Sequence, residues 1–176
     1  MTQKQNSPNS MTSLEKRSIS GLASIFAFRM LGLFMILPVF SLAAGQYSGS
    51  TPLLIGLAIG AYGLTQALFQ IPFGILSDKI GRKRVITAGL LLFAAGSVVA
   101  AIADSIQMVI LGRLLQGSGA ISAALMALTA DLTRDEQRTK AMAGIGISIG
   151  LSFSISLASG AALEQWIGLS GIFWAT

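Results

Sequence analysis

Arg29 and Arg113 are the residues with most to explain, because each lies inside a long uncharged, apolar stretch. Counted from Ser18 at ~1.5 Å per residue, Arg29 sits ~16 Å into its stretch, near the middle of a ~30 Å hydrocarbon core. A guanidinium at that depth costs several kcal/mol and must face a cavity, water or a partner. No apolar block contains a carboxylate to pair with it. Arg29 therefore reads either as a cavity-lining residue or as a structural one bonded to a carbonyl, to Gln66 or to Gln116. Arg113, about five residues past the start of its block, either shares that role or snorkels outward. Tyr62, Gln66 and Gln70 stand four apart, and Arg113 and Gln116 share a helical face. Such side chains line a cavity or hydrogen-bond between helices.

A second group lies at the block ends. Gly74, Asp78, Gly81, Arg82, Lys83 and Arg84 fall where one apolar block ends and the next begins, and Asp131 ends another. If the blocks are helices, Asp78 and Asp131 sit at negative C-terminal dipole ends, and Arg82 to Arg84 at a positive N-terminal end. Each is badly placed alone. Arg82 between Asp78 and Asp131 would offset both mismatches, and Asp78 could accept from another helix's N-terminus. Gly81 permits the tight turn this short loop needs. The plainer reading is a basic loop with solvated charges.

The chain has no His and no Cys. That excludes disulfide scaffolds, Cys/His zinc sites and His-based triads. With no carboxylate inside a block either, nothing supplies an intramembrane base or metal site, so the expectation is no enzyme, no metal and no cofactor.

The elements that position these residues follow from composition. Of 176 residues, 53% are hydrophobic and 11% charged, against about 25% charged in a soluble domain. Met30 to Ser77 is an uncharged run of 48 residues, room for two crossings of ~20 residues. Apolar blocks lie at about 18–44, 53–77, 85–103, 108–130 and 141–163, and a sixth runs from 169 to 176, incomplete. Residues 1–17 read as a disordered tail. Ten of the twelve basic residues lie in that tail and in the 78–84 and 131–140 connectors; the 45–52, 104–107 and 164–168 connectors hold none. This asymmetry puts the N-terminus and the basic loops in the cytoplasm. It also accounts for the +5 net charge through topology and the lipid bilayer, without nucleic acid. The first block is too long for a signal-peptide core and contains Arg29.

From Gly144 to Ala158, small residues alternate with Ile, Leu and Phe, which is strand-like. The neighbouring blocks have helical length, and a barrel needs many more such segments. As a helix, the segment carries small-residue ridges that include Gly146 and Gly150, and the second block carries Gly56 and Gly60; these are expected helix-packing positions. Pro38 and Pro72 permit kinks. Arg29-Met30-Leu31-Gly32 echoes Arg113-Leu114-Leu115-Gln116, as a three-plus-three repeat would.

Gly74-x-x-x-Asp78-x-x-Gly81-Arg82-Lys83-Arg84, between a second and third span, resembles the signature loop (motif A) of the major facilitator superfamily. Arg113-Leu114-Leu115-Gln116-Gly117 in the fourth resembles that superfamily's Arg-x-x-Gln-Gly motif. The resemblance implies an all-α polytopic membrane protein, with this chain the N-terminal six-helix bundle of a twelve-helix fold, truncated within helix six. It implies a monomer when complete, a missing C-terminal half, a small-molecule substrate and alternating access. It further implies that Asp78, Arg82 and Asp131 form a cytoplasmic latch. Phe28 to Gly32, Tyr62 to Ala67 and Asp131 to Arg134 resemble the superfamily's drug:proton antiporters of the bacterial inner membrane, which implies proton-driven efflux of small amphipathic compounds. Those antiporters usually carry Gly-Pro in the fifth span, where this chain has Gly160-Ala161. Uptake symport or uniport is the alternative within transport. A six-span self-associating pore or scaffold is the alternative of another class.

Overall fold

The computed structural model describes residues 11–176. The expected tail lies mostly outside them. Its last residues are helical: α1 runs Ser13–Ala43, because Thr12 and Glu15 form a capping box ahead of the apolar stretch. A 3-10 turn, Ala44–Gln46, leads toward α2, Pro52–Ile80. The Thr51 hydroxyl accepts from the Leu54 N–H, and Pro52 opens the helix where its missing N–H costs nothing. α1 and α2 continue through Pro38 and Pro72. Gly81 alone separates α2 from α3, Arg82–Ala101.

The fourth apolar block divides. α4, Ile106–Ser118, is capped by Ser105, and α5 is Ser122–Asp131. The break follows from Gly119, whose ψ of 48° leaves the helix. An added Cβ there would stand 2.3 Å from the Gly89 carbonyl oxygen, so this backbone is pressed against α3. α6, Asp135–Ala175, begins inside the expected 131–140 loop and is two helices joined at Gly168, the last residue of the expected 164–168 loop. It bends only at Gly168, at φ 66°, a backbone conformation that favours glycine. The 144–158 segment is helix, not strand. With α4 and α5 taken as one span, five helical segments among the described residues are long and apolar enough to cross a membrane.

α1 lies along α6, and α4 packs between α2 and α3. The α3–α4 approach is tight. A Cβ on Gly96 would stand 2.5 Å from the Gln116 backbone nitrogen, and one on Gly112 2.8 Å from the Ala100 backbone nitrogen. Gly117 brings α4 equally close to α2, at Tyr62. Small residues at such crossings let backbones meet where no hydrophobic effect drives helices together. The expected packing positions Gly56, Gly60, Gly146 and Gly150 make no such contact: nothing lies within 4 Å of a Cβ built on them. Their faces point away from this bundle, so within the chain they are corrected to open positions.

Two apolar clusters fill the bundle. Ile36, Phe40, Ile106, Val109, Ile172 and Phe173 pack at the end that carries the 44–51 loop. Phe26, Val85, Ile121, Leu125 and Ile145 pack at the Gly81 end. Between them lies a polar layer.

Candidate functional site: a buried polar layer and a charged turn

The polar layer draws on four helices. Arg29 of α1 is 3% exposed and Arg113 of α4 is 2% exposed. Arg113 therefore does not snorkel: the Gly96–Gly112 crossing turns it inward. Its Nη1 donates to Gln116 Oε1 at 2.9 Å, and Gln116 Nε2 donates to Ser97 Oγ at 2.8 Å. Its guanidinium lies 4.8 Å from the centre of the Tyr62 ring. Arg29 Nη2 donates to the Tyr62 hydroxyl at 3.3 Å, and its guanidinium stands over Phe93 at 5.6 Å. Tyr62 thus touches both arginines, one through its hydroxyl and one through its π face. Gln66 and Gln116, the partners weighed for Arg29, do not bond to it. Arg29 Nε and Nη1 are buried without a partner among the described residues.

Every interaction in this layer is with a neutral group. Aromatic faces attract a cation by about 2 kcal/mol or more when desolvated, yet they do not cancel its charge. A cavity of about 410 Å³ adjoins Arg29, Ser24, Phe28 and Phe93. A smaller one, about 240 Å³, lies along Tyr62, Gly63, Gln66, Ala67 and Gln70. The α2 stripe therefore lines space, while the side-chain oxygens of Gln66 and Gln70 are themselves buried, with no hydrogen-bond partner among the described residues.

The charged turn is built differently. Gly81 adopts φ 103°, and its N–H returns to the Ser77 carbonyl at 3.2 Å. This reversal throws Arg82 back over the end of α2. Arg82 forms an ion pair with Asp78, donates from Nη1 to Ser77 Oγ at 2.7 Å, and donates from Nε to Asp131 Oδ2 at 3.2 Å. One cation thereby offsets two carboxylates at helix C-termini. Gly74 lets α5 approach, with Ala123 Cβ 3.4 Å from where its own Cβ would stand. Lys83 and Arg84 are exposed and join no ion pair among the described residues.

Two contributors escaped the sequence reading. Ser77 is buried and links Arg82 to the Gly74 carbonyl, at 2.7 Å. Glu15 and Arg134 form an ion pair at 3.0 Å across 119 residues. The signal for Glu15 was available: it is the one acid before the first apolar block, three residues after a threonine. Among the described residues no three acidic side chains gather as a metal would require.

A helical membrane bundle with a buried cationic layer and an ion-paired turn at one end defines a class, and sequence comparison gives it a name. The Major Facilitator Superfamily profile matches residues 22–176; the chain belongs to that superfamily. It is 57% identical to the inner membrane transport protein YajR of Escherichia coli K12, over 93% of this chain and 36% of that protein. It is 46% identical to the uncharacterized transporter BU466 of Buchnera aphidicola, over 93% of this chain and 42% of the relative. Multidrug resistance protein 2 of Bacillus subtilis is 31% identical over 82% and 38% respectively. The chain thus spans about two-fifths or less of the length of these relatives.

Proposed function

We propose that this chain supplies the first helical bundle of a proton-coupled transporter that exports small amphipathic compounds by alternating access. The bundle lies in a bacterial cytoplasmic membrane with its N-terminus in the cytoplasm. The observation that carries the reading is the Arg82 contact with both Asp78 and Asp131. Ion pairs this exposed are worth about 0.2–1 kcal/mol, little enough to break and reform in each cycle. The buried layer supports it: Arg29, Tyr62, Gln66, Gln70, Arg113 and Gln116 give an apolar bundle a polar interior beside open space. The open glycine faces of α2 and α6 suit a second bundle, which the greater length of the relatives leaves room for. Export is supported by the similarity to a protein named for multidrug resistance.

The test is flux in inverted membrane vesicles from cells expressing the full-length gene, with and without an imposed proton gradient. Gradient-driven accumulation of a lipophilic fluorescent compound is expected, and Asp78→Asn should abolish it without lowering the amount of protein in the membrane. Flux indifferent to the gradient would favour uniport. Flux retained by Asp78→Asn would remove the latch. Gly160-Ala161 favours uptake as the second reading, and uptake by whole cells rather than inverted vesicles would establish it.

A further inference from the structure

Glu15 belongs neither to the charged turn nor to the polar layer, yet its carboxylate is among the most heavily bonded groups in the described residues. Its side chain is 8% exposed. Oε2 accepts from the Thr12 N–H at 2.7 Å and from the Thr12 hydroxyl at 3.0 Å, which closes the start of α1. Oε1 accepts from the backbone N–H of Arg134 at 3.1 Å and from Arg134 Nε at 3.0 Å, while Oε2 also accepts from Nη2 at 3.2 Å. Arg134 is the N-cap residue of α6, and its own side chain does not cap that helix. Glu15 caps it from another helix, placing an anion where the dipole favours one. The Glu15 side chain in turn pushes the Arg134 guanidinium above its ordinary pKa.

Arg134 follows Asp131 by three residues, and the turn between them is stiff. The Leu132 N–H donates to the Leu128 carbonyl at 3.0 Å, the Thr133 N–H to Ala130 at 3.3 Å, and the buried Thr133 hydroxyl to Thr129 at 2.7 Å. A displacement at Arg134 is therefore carried to Asp131. Asp131 meets Arg82 through one oxygen at 3.2 Å and is half exposed, so the contact depends on where the turn is held.

We propose that Glu15 is a positioning residue for the latch: by clamping Arg134 and the α6 N-terminus to α1, it holds the α5–α6 turn where Asp131 meets Arg82. This rests on the latch reading above. It also means that α1, the helix that carries Arg29, is mechanically tied to the charged turn at the membrane edge.

The chain lacks cysteine, so spin labels can be attached at Lys83→Cys and Leu132→Cys, on the two sides of the latch, with the full chain in nanodiscs. Dipolar line broadening then reports the closed turn. Glu15→Gln removes the charge and retains the α1 cap, since glutamine also completes a capping box. It should lose the broadening to the same extent as Asp131→Asn, and the two together should lose no more than either alone. Glu15→Arg combined with Arg134→Glu should restore most of it. Broadening unchanged by Glu15→Gln, an effect that adds in full to that of Asp131→Asn, or a charge swap that restores nothing would each overturn the proposal. If Asp131→Asn itself left the broadening intact, the latch reading would fall first, and this inference with it.

Discussion

Arg82 and Arg29 are the same residue in opposite circumstances. Arg82 is a quarter exposed, at the rim, with two carboxylates and a hydroxyl around it. Arg29 is almost fully enclosed, with one hydroxyl at 3.3 Å, an aromatic face and two nitrogens without a partner among the described residues. The rim charge is balanced and weakly held, because water competes for every partner. The interior charge is enclosed and unbalanced, because a hydroxyl and an aromatic ring accept a cation without cancelling it. The rim is thus suited to switching, whereas the interior layer depends on helices α3 and α4 staying in place. Mutations should separate these two behaviours.

The largest effect should come from the crossing that holds the interior layer. Gly96→Val places atoms where the Gln116 backbone nitrogen stands 2.5 Å away and the Gly112 carbonyl oxygen 2.6 Å away. Both obstacles are backbone and cannot swing aside. The expected outcome is a chain that fails to reach a folded form in membranes, read as protease sensitivity and loss of a monodisperse peak in detergent. A folded Gly96→Val chain would show that the crossing does not set the layer.

Next in size is Arg113→Leu. It removes a buried cation and strands the Gln116 Oε1 acceptor, which costs about 1–3 kcal/mol for the unsatisfied group. Adding Gln116→Leu, which replaces both partners, should recover part of that loss. Unfolding in mixed micelles measures both. Stability unchanged by Arg113→Leu would mean that the layer is not a bonded network.

The sequence showed the depth of Arg29 and the existence of the spans, because charge and hydropathy report directly on the membrane normal. It did not show direction around a helix. Arg113 lay near a block end and so was open to snorkelling, and only the Gly96–Gly112 crossing, a contact between distant residues, turns it inward. For the same reason Gly146 and Gly150 of α6 read as packing positions: a pattern marks a small-residue face but does not say whether anything in the same chain meets it, as the Met35 carbonyl meets Gly160 of the same helix. The Arg82 pairing was one of two readings that the dipole signs offered, since Asp78, Arg82 and Asp131 sit close to helix ends, and the ion pairs decide for it over solvated charges. The pairing of Glu15 with Arg134 was hidden because the two lie 119 residues apart and no local rule predicts that meeting, although Thr12 three residues before it marks Glu15 as a capping residue. The division of α4 from α5 was hidden for a related reason: Gly119 leaves the helix where it presses on Gly89.

A small effect of opposite sign should come from the open face. Gly146→Ala meets nothing within 4 Å and replaces glycine inside a helix, so it should stabilise this chain by about 0.5–1 kcal/mol. In a full-length transporter the same change should lower flux if a second bundle closes on that face. Destabilisation of the isolated chain would show that the face is already occupied, for instance by a second copy.

The most direct test of the contrast is Arg82→Ala, measured twice. In the full-length transporter, gradient-driven flux should fall to background. In the same preparation, unfolding stability should change by no more than about 2 kcal/mol, at most about 1 kcal/mol for each of the two exposed ion pairs. Flux lost with stability kept is what a switching contact predicts. Flux retained, or a stability loss as large as that of Arg113→Leu, would contradict the division between a rim that moves and an interior that holds.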